Sequence, residues 1–438
     1  MPTPPPAPLN DPKTIRHWAF FDWANSAYAL VITVAIFPAY YAGMSDEPVR
    51  LLGSDFELSA VYAYAISIAY LIITVLSPIL SGVADYSGRK LFFMRLFTTV
   101  GALACLSLWF FTGVDRLALG TLAFMLATIG FAGALVFYNA FLPTIVTPDR
   151  YDQVSAKGFS YGYVGSVLLL IVNLLIITFH ESLGLSESVA ARIAFVSVGL
   201  WWLGFAQYAY SGLPPDERKR NVSGLLGKGF AELKKVWGAV QNQPNTKGFL
   251  LAFFAYSAGV QTILFLAATF AEEEFGFETA QLIVIILILQ VLAIGGAYLF
   301  AAVSERRGNK VALLLMLATW AAVCVAGYFI YLQWHFYALA GVIGLVMGGI
   351  QSLSRSTYSK LLPPGTVDTT SYFSFYDILE KTAIVSGTFL FGLVNTLTGS
   401  MRGSVLILTV FFLLGMALLS RIRIAPANSK GKHTAMGS

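Results

Sequence analysis

Long apolar stretches recur along the whole chain, and this recurrence constrains the fold more than any single motif. A helix that crosses a bilayer needs about 20 mostly apolar residues, because roughly 30 Å of hydrocarbon at ~1.5 Å of rise per residue demands that many. Twelve stretches qualify, numbered here as spans 1 to 12: residues 17–42, 58–82, 92–112, 118–142, 157–179, 190–212, 248–271, 279–302, 312–332, 337–360, 376–397 and 403–422. Only 12% of the 438 residues are charged, against about 25% in soluble domains, so the chain cannot clothe a water-soluble surface of its size. The expected class is an all-α polytopic membrane protein. Two cysteines, Cys105 and Cys324, both lie inside apolar stretches, so neither a disulfide framework nor a metal cluster is expected, and no cofactor.

Assigning the loops alternately to two sides places 23 Lys/Arg on the side of both termini, four (Arg50, Arg116, Arg192, Arg402) on the other, and leaves Lys381 within a span. Basic residues concentrate on the cytoplasmic side, so both ends are expected there. The net charge of +5 takes its meaning from this placement, and nucleic acid is not implied. The reading divides the chain into a Pro-rich arm (1–16), too rich in proline to be helical, an N-terminal six-helix bundle (17–212), a basic linker (213–247), a C-terminal six-helix bundle (248–422) and a tail (423–438). No cleavable signal peptide is expected ahead of span 1. Within the linker, Phe230, Leu233, Trp237 and Val240 recur at helical spacing beside Lys234 and Lys235. That pattern predicts a short amphipathic helix, either on the lipid headgroups or as a solvated connector.

The halves repeat at an offset of 220. SGVADYSGRK at 81–90 matches AAVSERRGNK at 301–310 through Val83/Val303, Gly88/Gly308 and Lys90/Lys310, with Asp85 opposite Glu305. YNAFLP at 138–143 matches YSKLLP at 358–363 through Tyr138/Tyr358, Leu142/Leu362 and Pro143/Pro363. Two matches at one offset imply parallel six-helix repeats about a pseudo-two-fold axis along the membrane normal, the layout of two-bundle transporters with a site near the midplane. Gly158/Gly162 and Gly344/Gly348 have the spacing of close helix packing, and Pro38 and Pro78 are candidate kinks.

SGVADYSGRK resembles the signature after the second helix of the major facilitator superfamily, with Ser81 in place of the usual first glycine. The resemblance implies that Asp85, with Arg89 and the start of span 11, forms a cytoplasmic latch; a basic anchor with a turn is the plainer alternative. DWANSAY (22–28), FYNAFLP (137–143), SAKGFSYGYVG (155–165), YSAGVQT (256–262) and GGIQSLSRS (348–356) together resemble the vacuole-effluxer-like branch of that superfamily. Its eukaryotic namesakes export amino acids from the vacuole, and its bacterial members point to the inner membrane of a bacterium as the location. The sequence departs from the branch at Ala258, where an aspartate is usual, and at Ser374, where a glycine is usual. The first change removes a mid-membrane proton carrier.

Ionisable residues inside spans cost about 2.5–3.5 kcal/mol at the centre on insertion scales, so each is a functional candidate. Asp22 in span 1, Arg355 in span 10, and Asp377, Glu380 and Lys381 at the start of span 11 lie at similar depth. Asp22 is expected to pair with Arg355 or Lys381, as a gate, a substrate contact or a permanent structural pair. Asp22 and Glu380 are the candidate proton carriers. Around the pathway that the superfamily fold implies, the polar side chains are neutral: Asn25, Tyr28, Tyr138, Asn139, Tyr256, Gln261, Thr262 and Gln351. Amides and phenols both donate and accept, which suits a neutral or zwitterionic solute, although any one of them could simply bond helix to helix.

Three functions follow for comparison. They are a transporter of small, amino-acid-like solutes in the export direction, an effluxer of drugs or amphiphiles, and a receptor or scaffold without transport. The expected partners are a small-molecule solute, protons as a candidate coupling ion, and membrane lipid, with the chain a monomer. No nucleotide-binding loop or nucleophile elbow is present, so an enzyme is disfavoured.

Overall fold

The computed structural model describes residues 8–424 except 46, 52 and 218–223. Span 1 begins earlier than hydropathy places it. The Asp11 side chain accepts from the amides of Lys13 (3.3 Å) and Thr14 (3.0 Å), and Pro12 occupies the first turn, where a missing N–H costs nothing. The helical segment therefore runs Pro12–Ala42. Residues 12–16 of the expected arm belong to it, a correction to the reading of that stretch as non-helical; residues 1–7 lie outside the described residues, as does most of the tail. Within span 1, Tyr28–Ile36 winds as a π-helix before the α-helical Phe37–Ala42, which has Pro38 in its first turn. Wide turns of this kind often mark functional positions.

Several other helices also outrun their apolar cores. Span 5 is helical over Tyr151–Thr178, span 7 over Pro244–Phe275, span 8 over Thr279–Arg307, span 10 over Gln333–Leu361 and span 11 over Thr369–Thr398. The added turns are polar, which is why a hydropathy window misses them. A small hairpin of β1 (Val49–Leu51) and β2 (Ser54–Phe56), with Val49 opposite Phe56, joins spans 1 and 2 and was not expected.

Among the described residues, eleven helices are long and apolar enough to cross a membrane. Thr369–Thr398 is 30 residues long and carries the charged group of span 11. Leu71, Leu122 and Phe389 are 65%, 59% and 70% exposed, a distribution of apolar surface that suits lipid and not water. The protein is a multi-pass membrane protein.

The chain folds as two units, Met1–Phe141 with Tyr161–Leu233, and Leu142–Ser160 with Lys234–Ser438. The boundary therefore falls inside the linker helix, and residues 142–160, expected in the first bundle, group with the second unit. In the first unit, Phe37 stacks on Phe124 (centroids 4.7 Å apart), and Trp202 is completely buried. In the second unit, a β-carbon at Gly348 would run into the carbonyl of Ala293, and one at Gly344 would stand 2.8 Å from the carbonyl oxygen of Leu289. The G-x-x-x-G pair thus brings spans 8 and 10 into backbone contact.

The linker helix forms over Leu225–Gln241. Of its expected apolar face, Val240 is buried, whereas Phe230 and Trp237 are 60% and 49% exposed, together with Leu226. The face is therefore split into an inner and an outer stripe, and Trp237 also contacts the ring of Phe375 (5.2 Å).

Candidate functional site

Among the described residues, the five strings that carry the family resemblance supply several buried polar contacts. In the first unit, DWANSAY meets FYNAFLP. The buried Asp22 carboxylate accepts from the Tyr138 hydroxyl (2.7 Å), and the Tyr138 ring stacks on Trp18 (4.6 Å), whose indole N–H donates to the Tyr138 carbonyl (3.1 Å). Tyr28 lies 2.7 Å from the Thr128 hydroxyl, with its ring stacked on Trp202, so this phenol bonds span 1 to span 4. Asn25 is fully buried, and neither its amide nitrogen nor its oxygen has a hydrogen-bond partner among the described residues. Leaving such groups unpaired costs about 1–3 kcal/mol, which makes Asn25 the least satisfied polar side chain of span 1. Asn139 is half-buried.

At the loop after span 2, Asp85 is half-buried. Arg89, its expected partner, makes no side-chain hydrogen bond or ion pair among the described residues, so the pairing of these two is not seen. The following helix, Lys90–Ser107, is capped instead by Asp216, whose two oxygens accept from the amides of Leu91 (2.7 Å) and Phe92 (2.9 Å). A carboxylate suits a helix N-terminus because the free N–H groups and the dipole both favour negative charge. The sequence reading missed this cap, since Asp216 lies 125 residues from Leu91.

The second unit holds three polar groupings. In the first, SAKGFSYGYVG meets GGIQSLSRS. The Ser155 hydroxyl donates to the Ser352 carbonyl (2.7 Å) and accepts from Nε of Arg355 (2.9 Å), while Nη2 of Arg355 donates to the Ser155 carbonyl (2.9 Å). The guanidinium also lies over the Phe159 ring at 4.2 Å. Ser155 and Ser352 are buried, and Arg355 is only 2% exposed.

The second grouping lies one turn away. Asp152, at the start of span 5, accepts from Lys360 (2.6 Å), Ser304 (2.9 Å) and Asn309 (2.8 Å), and Lys360 also donates to the Asn309 side-chain oxygen (2.7 Å). The Asp152 and Lys360 side chains are 3% and 8% exposed. A buried pair survives only when the desolvated charges find further hydrogen bonds, and these do. The sequence reading missed Asp152, because it falls in the polar turn ahead of the apolar core of span 5.

The third grouping is on spans 7 and 11. Lys381 donates to Asp377 (2.8 Å) and Glu380 (3.1 Å), and the Gln261 amide donates to the other oxygen of Glu380 (3.3 Å). Asp377 and Lys381 are buried; the Glu380 side chain is 27% exposed. Tyr256 lies 2.7 Å from the Ser354 hydroxyl, a bond between spans 7 and 10. Thr262 is fully buried, its hydroxyl without a partner among the described residues. Ala258, at the position of the missing aspartate, is fully buried, and its carbonyl abuts Gly387 of span 11. Ser374 turns its hydroxyl back to the Ser371 carbonyl (2.7 Å), so the departure from glycine there is absorbed within the helix. Gln351 is half-buried. Among the described residues, no group of three or more His, Cys, Asp or Glu side chains could hold a metal ion.

Residues 10–432 match the model of the family described as "Vacuole effluxer Atg22 like". The chain belongs to that family. The Bacillus subtilis (strain 168) protein named uncharacterized MFS-type transporter YxiO is 31% identical over 411 residues, covering 93% of this chain and 94% of its own. Autophagy-related protein 22 of Coccidioides immitis (strain RS) is 24% identical over 485 residues, covering 93% of this chain and 78% of its own. Among solved structures, the major facilitator superfamily transporter FucP in its outward conformation superposes with a TM-score of 0.71 at 13% identity, over 94% of this chain and 98% of its own. The human organic anion transporter MFSD10 (TETRAN) gives the same TM-score and identity over 94% of this chain and 100% of its own. At such identities these structures establish the fold alone, and that fold is the major facilitator one.

Proposed function

We propose that this family member is a transporter of small organic solutes with amino-acid-like head groups. It works by alternating access and exports, from a bacterial inner membrane with both termini cytoplasmic. The family is one of transport proteins and not of enzymes. The observation that carries the proposal is the grouping of Asp377, Glu380 and Lys381 with Gln261. Charged side chains in a membrane helix are costly and persist where they serve a pathway, and Glu380 keeps part of its surface accessible. A carboxylate and an amide offer an acceptor for an ammonium and a donor for a carboxylate, the two ends of an amino acid.

In this reading, residues 17–212 and 248–422 form the two six-helix bundles. Asn25, Tyr28, Tyr138, Asn139, Tyr256, Gln261, Thr262 and Gln351 supply the pathway, and Asp22, Asp85, Arg89, Arg355, Glu380 and Lys381 supply its gates. Tyr28 and Tyr256 act mainly by bonding helices, as their hydroxyl partners indicate.

A thermal-shift screen of the purified protein tests the reading, since a ligand that binds only the folded state stabilises it by about 2.7 kcal/mol at 100 times its Kd. Stabilisation by free amino acids is the expected result. Stabilisation by cationic amphiphiles alone would move the protein to drug efflux, and stabilisation by neither would favour a receptor or scaffold.

A further inference from the structure

The charged residues of span 11 present an imbalance that the transport reading does not by itself require. Asp377, Glu380 and Lys381 occupy one face within slightly more than one helical turn, so two carboxylates share a single ammonium. One oxygen of Asp377 is bound by Lys381, while the other is buried and has no hydrogen-bond partner among the described residues. Asp377 is only 4% exposed. An ionised carboxylate with an oxygen in that position lacks the donors that make burial of charge tolerable.

The neighbouring elements of this unit do not supply the missing donor. Span 7 brings Gln261 to Glu380, and the Tyr256 hydroxyl is already engaged with Ser354. Span 10 brings Arg355, bonded to Ser155, and Tyr358, whose hydroxyl donates to the Tyr372 carbonyl (2.7 Å). On span 11 itself, the Tyr376 ring stacks on Phe253 (4.0 Å) and on Tyr358 (5.3 Å). The charged residue within the span 12 helix, Arg402, pairs with Glu274 (2.6 Å).

We infer that Asp377 and Glu380, bridged by Lys381, form a single proton-binding site, with Glu380 as the member through which the proton enters and leaves. One proton from water adds to a carboxylate oxygen, leaving a carboxylic acid, a carboxylate and an ammonium, which together are neutral. Loss of the proton returns two carboxylates around one ammonium. Glu380 is the exchange point because it alone of the three is partly accessible, and Gln261 holds the oxygen that Lys381 does not. The site stands on span 11, the helix whose Gly387 meets the carbonyl of Ala258. Its role as a coupling site rests on the transport reading; its capacity to bind a proton does not.

Infrared difference spectroscopy of the purified protein between about pH 5 and about pH 9 reads protonated carboxyl groups directly, without substrate. The wild type is expected to show a carboxylic acid C=O band that comes and goes with pH, and Glu380→Gln and Asp377→Asn are each expected to abolish or displace it. Asp22→Asn is expected to leave it in place. Because Asp377 is buried and its substitution could unfold the protein, the partly exposed and isosteric Glu380→Gln variant provides the decisive comparison, with thermal unfolding as the folding check. A band unchanged in Glu380→Gln, or no titrating band in the wild type, overturns the inference. A second readout separates the two proposals: if the band behaves as expected while no solute is moved, the proton site stands and the transport reading falls.

Discussion

The loops at 81–90 and 301–310 stand at equivalent places in the repeat and solve the same problem in opposite ways. Each ends a long helix at a glycine with positive φ, +67° at Gly88 and +86° at Gly308. The loops differ in where the negative charge comes from. The first carries its own acid, Asp85, and its neighbouring helix is capped by Asp216 from the linker. In the second, the aligned acid Glu305 is exposed, and Ser304 and Asn309 act as neutral donors to Asp152, which is balanced by Lys360. Both loops keep a glycine with positive φ, but ψ is 29° at Gly88 and 153° at Gly308, so the turns differ, as does the segment that supplies the charge. The sequence match reports the shared glycine, and neither the full geometry of the turn nor the ionic partners.

The largest effect expected from breaking this comparison is at the second loop. Asp152→Ala leaves Lys360 buried without its counter-charge and should cost about 3–5 kcal/mol, seen as a marked drop in thermal stability in detergent. Lys360→Met in the Asp152→Ala background should recover part of that loss, and additive effects in the double-mutant cycle would show the pair to be uncoupled.

The glycines come next. A β-carbon at Gly88 would collide with the Glu217 carbonyl, whereas none would meet anything within 4 Å at Gly308. Both substitutions carry the strain of an unusual backbone, about 1–3 kcal/mol, so Gly88→Ala should destabilise more than Gly308→Ala. Equal losses would mean that the linker does not press on the first loop. Asp216→Ala, which removes the cap of the helix after the first loop, should cost about 1 kcal/mol and speed hydrogen exchange at Leu91 and Phe92 without touching the second loop.

The half-buried cap at Asp11 sharpens the contrast through pH. The amide and hydroxyl of Thr14 hold its carboxyl below the ordinary carboxylate range. Its stabilising contribution is therefore fully present above the unfolded-state value and disappears as pH falls through the lower folded-state value. Hydrogen exchange at Thr14 should accelerate over that acid window, and pH-independent protection there would contradict the cap.

Much of the fold was legible because apolar length reports directly on membrane spans. The amphipathic linker helix, the offset of 220 and the close approach at Gly344 and Gly348 were equally readable. Hydropathy was silent on the polar turns that extend the helices, and Asp152 and Ser155 sit in such a turn. Partners far apart in the chain were invisible as well: nothing at Asp216 announces that it caps residues 91 and 92. Asp22, Glu380, Lys381 and Arg355 stood out because charge in a span is rare, yet their bonds could not be read from depth alone. Depth does not name the neutral side chains that also bond them, such as Tyr138 at Asp22 and Ser155 at Arg355.

The most direct test of the account is counterflow in proteoliposomes containing the purified protein and preloaded with unlabelled amino acids. Uptake of the matching labelled amino acid, saturable and reduced in Gln261→Ala, is the predicted result. Vesicles that accumulate no labelled amino acid beyond protein-free controls, with the protein shown to be folded, would contradict it.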